Sequence, residues 1–439
     1  MERISKFLLI GSILCISGCR KPVVLDTGWT AAQAISQSRD SLISDFSLHK
    51  WNNSLLALSS DSGVLVVYLL REQGKSWKRI ESDPVQCLPV SIDPTQNRWL
   101  AAQARLFKEN MEVSFEAGSA SDVSGFLTES KTVWRADKSV IFGKTGNEIS
   151  FGGSPDKPLL QPFWGAAFDG SEICIPYCIR GETVRNRAIQ YAEGPFDNGV
   201  FWSSDAGLSW SREHISTSSA ASSWVCKTTG FYYFFAGEPE THQLSSSRKE
   251  GQTWRQQSLV TKHFATGTSA VAEGHTIHVC WLDRRNEKKR SDAVYPWRKN
   301  YQVAYCHRKD SDTDWGDTIL VSKGLLYAYR PTLSAEGNNV VIVWSGVQTA
   351  QDWHDENGPN DIYYVTSNNG GNTWSEPLRV TDNMESGLTA GCPQVALQNG
   401  IIHLFYIQGK INYKETSAGM VKLNQPPWPI YYAQRPFPN

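Results

Sequence analysis

Residues 203–210 read Ser-Ser-Asp-Ala-Gly-Leu-Ser-Trp, and this stretch decides the fold that the sequence predicts. It lies between two strand-like runs. A short acidic side chain accepts hydrogen bonds from the amides of a turn. Glycine supplies the positive φ that a tight hairpin needs. The tryptophan ring is large enough to pack between neighbouring sheets. The stretch therefore predicts a tight turn between two β-strands that ends on a buried ring.

The same turn recurs along the chain. Residues 367–374 read Ser-Asn-Asn-Gly-Gly-Asn-Thr-Trp, with an amide in the acidic place. A third copy at 247–254 carries Lys249 in that place, and a fourth lies at 72–77. A weaker copy at 310–315 lacks the glycine. We call these stretches the tryptophan turns, and their repetition between apolar runs indicates a repeat architecture.

The repeated unit has four strand-like segments. Its clearest copy has them at 330–334, 339–344, 361–366 and 374–380. Over about four to seven residues, each segment either alternates apolar and polar residues or is continuously apolar, which is typical of β-strands. The chain also contains 17 Trp, 16 Tyr and 17 Phe, punctuated by 34 Gly and 20 Pro. This composition favours many short strands and turns over long helices.

The tryptophan turns resemble the Asp-box of bacterial sialidase-like, BNR-repeat propellers. The stretch Trp-Leu-Asp-Arg-Arg at 281–285 adds to this resemblance, which is best over 200–406. It implies an all-β fold, a β-propeller of the sialidase superfamily with radially arranged four-stranded sheets. Six blades is the leading number, and seven stays open because 55–80 and 87–137 each read as one unit. In the alternative, the first strands complete the last blade and the two termini close the ring together. The alternative is a β-sandwich in which similar turns occur by coincidence.

The first residues read as an export signal. Arg3 and Lys6 precede about ten mostly apolar residues, too few to cross a bilayer as a permanent helix. Residues 16–19, Ile-Ser-Gly-Cys, resemble a bacterial lipobox, which implies cleavage before Cys19 and acylation of its thiol. The alternative is ordinary signal cleavage with Cys19 as a bystander. We expect an exported protein that is lipid-anchored to a bacterial membrane, at the outer membrane or the cell surface.

This organisation divides the chain into four segments. They are a lipoprotein signal peptide at 1–18, an N-terminal tether at 19–44, the β-propeller at 45–425 and a C-terminal tail at 426–439 packed on the outside.

Charge and cysteine content exclude several classes of partner. The net charge of -1 provides no bulk field for nucleic acid, so no nucleic-acid partner is expected. No cysteine has metal-site spacing, and the acidic stretch at 310–314 lacks the glycine and distal glutamate of a calcium loop. We expect no metal and no cofactor. Cys280 and Cys306 are placed to pair across neighbouring strands, although buried free thiols are the favoured reading for most cysteines.

Long loops at 180–198, 282–300 and 346–360 are expected on the rim opposite the tryptophan turns, where they form a cup for a ligand. These loops and the following inner strand carry the candidate site residues. The candidates for substrate binding are Arg284, Trp297, Tyr329, Arg330 and Trp353. The candidates for catalysis are Asp283 and Asp355.

The residue types explain these choices. Arg330 begins an inner strand, where a buried guanidinium needs an acidic partner or a ligand carboxylate. Trp297 and Trp353 offer platforms on which sugar rings stack. Asp283 has a plainer interpretation, a local ion pair with Arg284.

Sialidases of this fold bind the sugar carboxylate with three arginines and use a Tyr-Glu pair with an Asp acid/base, an exception to the two-carboxylate rule. This chain lacks the Phe-Arg-Ile-Pro-like stretch of the first arginine, and 389–394 contains no tyrosine. We therefore expect a surface-anchored propeller that acts on or binds glycans, as an exo-glycosidase-related hydrolase with a non-standard site. The alternatives are a non-catalytic carbohydrate-binding propeller and a protein-interaction propeller.

Overall fold

A computed structural model describes most strands of the chain. The residues described are 23–36, 46–51, 54–61, 64–71, 76–84, 88–93, 98–107, 110–119, 130–137, 167–180, 196–205, 209, 211–218, 223–237, 243–285, 301–325, 327–348, 360–383, 387–416, 419–424 and 429–438. Within these ranges the protein is all-β, as the sequence predicts. No helix that is long and apolar enough to span a membrane occurs among them.

The strands form antiparallel meanders in chain order, each of four strands. The first three sheets are β2 (Phe46–Trp51), β3 (Ser54–Asp61), β4 (Val64–Arg71) and β5 (Ser76–Pro84); β6 (Leu88–Asp93), β7 (Arg98–Phe107), β8 (Asn110–Ser119) and β9 (Ser130–Asp137); and β10 (Ala167–Asp169), β11 (Glu172–Arg180), β12 (Phe196–Ser203) and β13 (Ser211–Ser218).

The fourth and fifth sheets share one long strand. The fourth contains β14 (Ser223–Lys227), β15 (Tyr232–Gly237), β16 (Gln243–Glu250) and the start of β17 (Thr253–Glu273). The end of β17 begins the fifth sheet, followed by β18 (Thr276–Asp283), β19 (Gln302–Lys309) and β20 (Ile319–Leu320). The sixth sheet contains β21 (Tyr327–Glu336), β22 (Asn339–Val347), β23 (Asp361–Ser367) and β24 (Leu378–Arg379).

The seventh sheet joins both ends of the described chain. Its order is β25 (Leu388–Gln398), β26 (Ile401–Thr416), β28 (Ile430–Pro436) and β1 (Gln33–Ala34), and β27 (Gly419–Asn424) extends β26 as a hairpin. This corrects the expected C-terminal tail at 426–439, because β28 is an integral strand whose Ile430, Tyr432 and Ala433 are buried. Part of the expected tether is likewise sheet, since Gln33 pairs with Tyr432.

The core consists of layers between consecutive sheets. Along β18, Val279 and Trp281 pack toward the fourth sheet, whereas Cys280 and Leu282 pack toward the sixth. Successive side chains point to opposite faces of a strand, so a strand covered on both faces reads as a continuous apolar run. The same layering joins the third sheet to the fourth, the sixth to the seventh and the seventh to the first. The first strands of these sheets also contact one another, including β2 with β25.

Three tryptophan turns, in the fourth, fifth and sixth sheets, each contact the preceding sheet. The Trp374 ring of the sixth sheet packs edge-on against Tyr305 of the fifth, with ring centroids 4.7 Å apart. Trp315 of the fifth sheet packs edge-on against Phe235 of the fourth at 5.7 Å. Trp254 of the fourth donates its indole N–H to Glu213 of the third at 2.8 Å. Trp210 lies outside the described residues. Equivalent rings therefore occupy equivalent inter-sheet positions.

Turn chemistry holds these rings in place. In the turn at 367–374, Asn369 Oδ1 accepts hydrogen bonds from Ser367 Oγ at 2.9 Å and from the Thr373 amide at 3.0 Å. Asp205 Oδ1 makes the matching bonds in the turn at 203–210. Gly371 has φ 90°, and any side chain there would collide with the Tyr305 hydroxyl. The glycine thus serves both the turn and the close approach of the neighbouring sheet.

The described cysteines are free thiols, namely Cys174, Cys226, Cys280, Cys306 and Cys392. The strand register explains why the fifth sheet has no disulfide. Cys280 lies opposite Tyr305, whereas Cys306 lies opposite Val279, so the two thiols face opposite layers.

Candidate functional site

The two faces of the structure differ in what they carry. The tryptophan turns lie beside the hairpins that join first and second strands, as shown by the Gly370 amide donating to the Asn338 carbonyl at 2.8 Å. We call this side the turn face. The ends of second strands and the starts of first strands lie on the other side, which we call the loop face. The candidates Asp283, Arg284, Tyr329 and Arg330 all belong to the loop face.

Three consecutive first strands contain a β-bulge near the loop face. Each bulge has one residue with positive φ: Gly267 at 60° in β17, Arg330 at 49° in β21 and Cys392 at 49° in β25. Proline follows both Arg330 and Cys392. A bulge re-aims the side chain that it carries, and positive φ costs a non-glycine residue about 1–2 kcal/mol. The fold thus holds an arginine and a cysteine in an unfavourable backbone conformation on adjacent strands.

These bulges bring Arg330 and Cys392 together. Arg330 Nη1 donates to Cys392 Sγ at 2.6 Å, and Thr332 Oγ1 donates to the Pro393 carbonyl at 3.1 Å. Arg330 is half-buried, so its guanidinium remains within reach of a ligand. The structure therefore places the arginine predicted from sequence on the inner strand and orients it across a sheet boundary.

Aromatic rings connect Arg330 to the second predicted arginine. Arg330 lies 5.4 Å from the Tyr329 ring centre, and the Tyr329 and Tyr327 rings stack with centroids 6.3 Å apart. Tyr327 meets Tyr301 at 6.0 Å, and Tyr301 lies 5.6 Å from the Arg284 guanidinium. We call these five residues the Arg–Tyr row. It spans the fifth and sixth sheets and carries two positive charges around three rings.

The row has an exposed end and a sheltered end. Tyr329 is 41% exposed, which is unusual for so large a ring in this protein. At the other end, the Arg284 guanidinium lies 4.2 Å from the Phe264 ring centre, which covers one of its faces. A cation over an aromatic face is held in place while its N–H groups remain directed outward. The row therefore brings two guanidinium groups and one exposed ring together on the loop face.

Asp283 is buried and already engaged. Its carboxylate accepts hydrogen bonds from Arg285 Nε at 2.9 Å and Arg285 Nη2 at 2.8 Å, and from the Arg285 amide at 2.8 Å. Trp281 Nε1 donates to it at 3.3 Å. The local ion pair considered for Asp283 thus forms with Arg285, whereas Arg284 joins the Arg–Tyr row. The catalytic role of Asp283 stays a prediction.

A second buried carboxylate lies at the start of β23. Asp361 Oδ1 accepts from Thr381 Oγ1 at 2.7 Å and from the Asn383 amide at 2.8 Å. Burial raises the pKa of Asp361 to about 6, although these hydrogen bonds and Arg379 favour the charged form. The sequence interpretation did not include this residue. Its partners fix the chain between the sixth and seventh sheets, which is a structural role for a perturbed carboxylate.

Several predicted residues are not placed by the structure. Trp297, Trp353, Asp355 and Cys19 lie outside the described residues. Conversely, sequence reasoning missed Phe264 and Tyr301 as parts of the loop face. Their signal was weak, because each is one aromatic residue beside a strand end. Within the described ranges, no cluster of three or more His, Cys, Asp or Glu side chains is placed to hold a metal ion.

Comparison with known proteins was made at three levels. No protein-family model and no curated protein matches the chain. Among solved structures, a Hadza microbial sialidase has a TM-score of 0.40 at 12% identity, covering 80% of this chain and 70% of that chain. An α-L-arabinofuranosidase of Fusarium graminearum has a TM-score of 0.39 at 10% identity, covering 93% of each chain.

A third solved structure, described as an ulvan lyase of a polysaccharide lyase family, has a TM-score of 0.46 at 8% identity and covers 87% of this chain and 92% of that chain. All three are enzymes that act on glycans by their descriptions. Similarity at this level identifies no catalytic or binding residue of this chain.

Proposed function

We propose that this protein is a glycan-binding β-propeller that holds an acidic sugar on the Arg–Tyr row. The observation that carries the proposal is the continuous contact from Arg284 through three tyrosines to Arg330. Guanidinium groups offer paired donors to a carboxylate or sulfate. The exposed Tyr329 ring offers apolar surface for a sugar ring, with a hydroxyl that reaches polar groups. An acidic oligosaccharide matches both features.

Binding is better supported than hydrolysis. Glycoside hydrolysis generally requires two carboxyl groups on either side of the scissile bond. The Asp283 carboxylate is buried and held by Arg285, so it is poorly placed to exchange a proton with a sugar. Hydrolysis is the second candidate function, with Asp283 and Asp355 as the candidate catalytic carboxylates.

The proposal includes architecture and location. Six consecutive four-stranded meanders and a seventh four-stranded sheet that includes β1 support seven blades over six. Contact between β2 and β25 supports a closed ring. The export signal and the lipobox-like residues 16–19 support lipid anchoring of Cys19 to a bacterial membrane. A radiolabelled fatty acid should be incorporated into the wild-type chain and not into Cys19→Ala. Incorporation into both chains would reject Cys19 as the site.

The binding test compares acidic and neutral oligosaccharides with the full chain by isothermal titration calorimetry. We expect uronate-containing oligosaccharides to bind, and Arg284→Ala and Arg330→Ala each to weaken binding by about tenfold or more, because a charge-assisted hydrogen bond contributes about 1.5–3 kcal/mol. Arg255→Ala is the matched control, since Arg255 is 70% exposed on the turn face. Equal binding by all three variants would reject the row. Release of reducing ends by wild type would favour the hydrolase.

A further inference from the structure

The third tryptophan turn departs from the others at its central residue. In two turns, Asp205 and Asn369 bind their own turn amides. In the turn at 247–254 the equivalent position is Lys249, which is buried and cannot accept such bonds. Its Nζ instead lies 2.7 Å from Glu213 Oε2 and 4.0 Å from the centre of the Trp202 ring. The lysine therefore points away from its turn and toward the third sheet.

A polar cleft of about 430 Å³ opens where Lys249 leaves its turn. It lies between the third and fourth sheets on the turn face and shares no residue with the Arg–Tyr row. A second pair lines it, Lys227 Nζ with Asp169 Oδ2 at 3.1 Å. Its volume falls within the range typical of small-molecule sites. The cleft thus presents donors and acceptors side by side.

The hydroxyl of one tyrosine in this cleft is incompletely hydrogen-bonded. Tyr232 lines the cleft and is 4% exposed, and its hydroxyl makes no hydrogen bond of ordinary length among the described residues. The Glu172 carboxylate lies nearby on the same wall, and burial together with this carboxylate raises the pKa of Tyr232. Leaving a buried hydroxyl unpaired is costly, typically about 1–3 kcal/mol. A bound molecule that hydrogen-bonds to this hydroxyl would explain its unsatisfied state in the free protein.

We infer that this cleft is a second binding site and that its ligand is a neutral sugar unit. A ligand hydroxyl accepts a hydrogen bond from Tyr232 and donates one to Glu172, whereas an ammonium has no lone pair to accept from the phenol. The adjacent lysine–carboxylate pairs match the alternating donors and acceptors of a diol. Three carboxylates against two lysines disfavour an anionic ligand. The inference does not depend on the proposed function, because no residue is shared.

The test uses glucose, galactose, mannose and their β-1,4-linked disaccharides at up to about 20 mM, which covers weak millimolar affinities. Binding to the full chain is followed by saturation-transfer NMR. We expect at least one probe to bind, and Tyr232→Phe to weaken its binding by about tenfold. The melting temperature of this variant should be equal or higher, because the lost hydroxyl makes no hydrogen bond of ordinary length. Glu172→Gln should weaken the same probe.

The matched control is Tyr233→Phe. Tyr233 is the next residue of β15, and its hydroxyl donates to Asp310 at 3.1 Å outside the cleft. This variant should lose stability and keep sugar affinity. The inference is overturned if no probe binds, which would leave water as the occupant, or if a probe binds Tyr232→Phe as tightly as wild type. If Arg330→Ala loses sugar binding and Tyr232→Phe retains it, the sugar binds on the loop face instead.

Discussion

Arg330 Nη1 lies 2.6 Å from Cys392 Sγ, and the two residues occupy equivalent bulges on the first strands of the sixth and seventh sheets. The thiol accepts a hydrogen bond from the guanidinium and so fixes one end of the Arg–Tyr row. The two residues are 62 positions apart in the sequence, so they meet only because their sheets are neighbours in the fold. Orientation of Arg330 should therefore depend on an acceptor at position 392.

Exchange of Cys392 tests that dependence. Cys392→Ala removes the acceptor and should weaken binding of an acidic oligosaccharide several-fold, whereas Cys392→Ser retains a hydroxyl acceptor and should bind nearly as well as wild type. Calorimetric titration of both variants measures the difference. Equal weakening in both would show that the thiol does not orient Arg330.

Trp374→Ala should lower the free energy of unfolding by about 2–3 kcal/mol. A fully buried tryptophan would give about 3–5 kcal/mol, but Trp374 is only half-buried. The variant loses the edge contact with Tyr305 and the hydrogen bond from its indole N–H to Gly371 at 3.0 Å. Trp374→Phe keeps an aromatic edge and should lose less. Urea unfolding of the two variants measures the effect, and a change below about 0.5 kcal/mol for alanine would contradict this packing.

The contribution of Asp205 to the stability of the folded state should be lost at very low pH. Hydrogen bonds from the Ser209 hydroxyl and amide lower the pKa of Asp205 to about 2. A lowered carboxyl pKa stabilises the folded state above the unfolded value of 3.8, and this contribution is lost as pH falls through about 2. Asp205→Asn keeps an acceptor, as Asn369 does naturally, and its melting temperature should change less than that of the wild-type chain between about pH 4 and pH 2. An unchanged profile would exclude Asp205 as the source.

Two buried histidines should destabilise the fold in mild acid. Burial lowers the pKa of His278 and of His403 to about 4, and each ring hydrogen-bonds a tyrosine hydroxyl, Tyr305 and Tyr432. A lowered histidine pKa stabilises the fold above about 6.5, and the contribution is lost as pH falls through about 4. At 1.36 kcal/mol per pKa unit, each histidine contributes about 3 kcal/mol.

Asp361 acts in the opposite direction. Its pKa, raised to about 6, makes the fold gain stability as pH falls from about 6 toward 3.8. Two histidines outweigh one aspartate, so a net loss on the order of 3 kcal/mol is expected between pH 6.5 and pH 4. Urea midpoints across this range measure it. The variant His278→Gln with His403→Gln should remove the loss, and a wild-type chain more stable at pH 4.5 than at pH 6.5 would contradict the assignment.

The N-terminal segment 23–36 should be required for the outer edges of the last two sheets. The Asp26 amide donates to the Arg379 carbonyl at 2.8 Å, and the Ile35 amide donates to the Ile430 carbonyl at 2.8 Å. Asp26 also pairs with Arg435 and accepts from Tyr364 at 2.6 Å. Deletion of residues 23–36 exposes the edge of β28, which invites pairing with other chains.

The expected outcome is a lower melting temperature and concentration-dependent association, measured by light scattering coupled to size exclusion. Asp26→Asn in the full-length chain is the milder control. This substitution weakens one contact without exposing the strand edge. The variant should therefore have the same oligomeric state as the wild-type chain. A monomeric, equally stable deletion variant would show that the segment is dispensable.

The sequence alone determined the local elements of this protein. Asp205 and Asn369 accept hydrogen bonds from residues within five positions of themselves, so their turns can be predicted from the sequence. The apolar run 340–344 follows from the burial of its strand on both faces. The position of Arg330 near the start of an inner strand also follows from the repeat, whereas its role in a binding site stays a prediction.

Only the tertiary structure decided which side chains meet across sheets. The contact of Arg330 with Cys392, the row through Tyr301 to Arg284, and the reach of Lys249 to Glu213 each join residues from neighbouring elements. The integral role of β28 was misjudged because its partners in β1 and β26 lie far away in sequence. Local hydrogen-bonding rules fix a turn, but the neighbour of a sheet is selected by the packing of whole layers, which no single segment encodes.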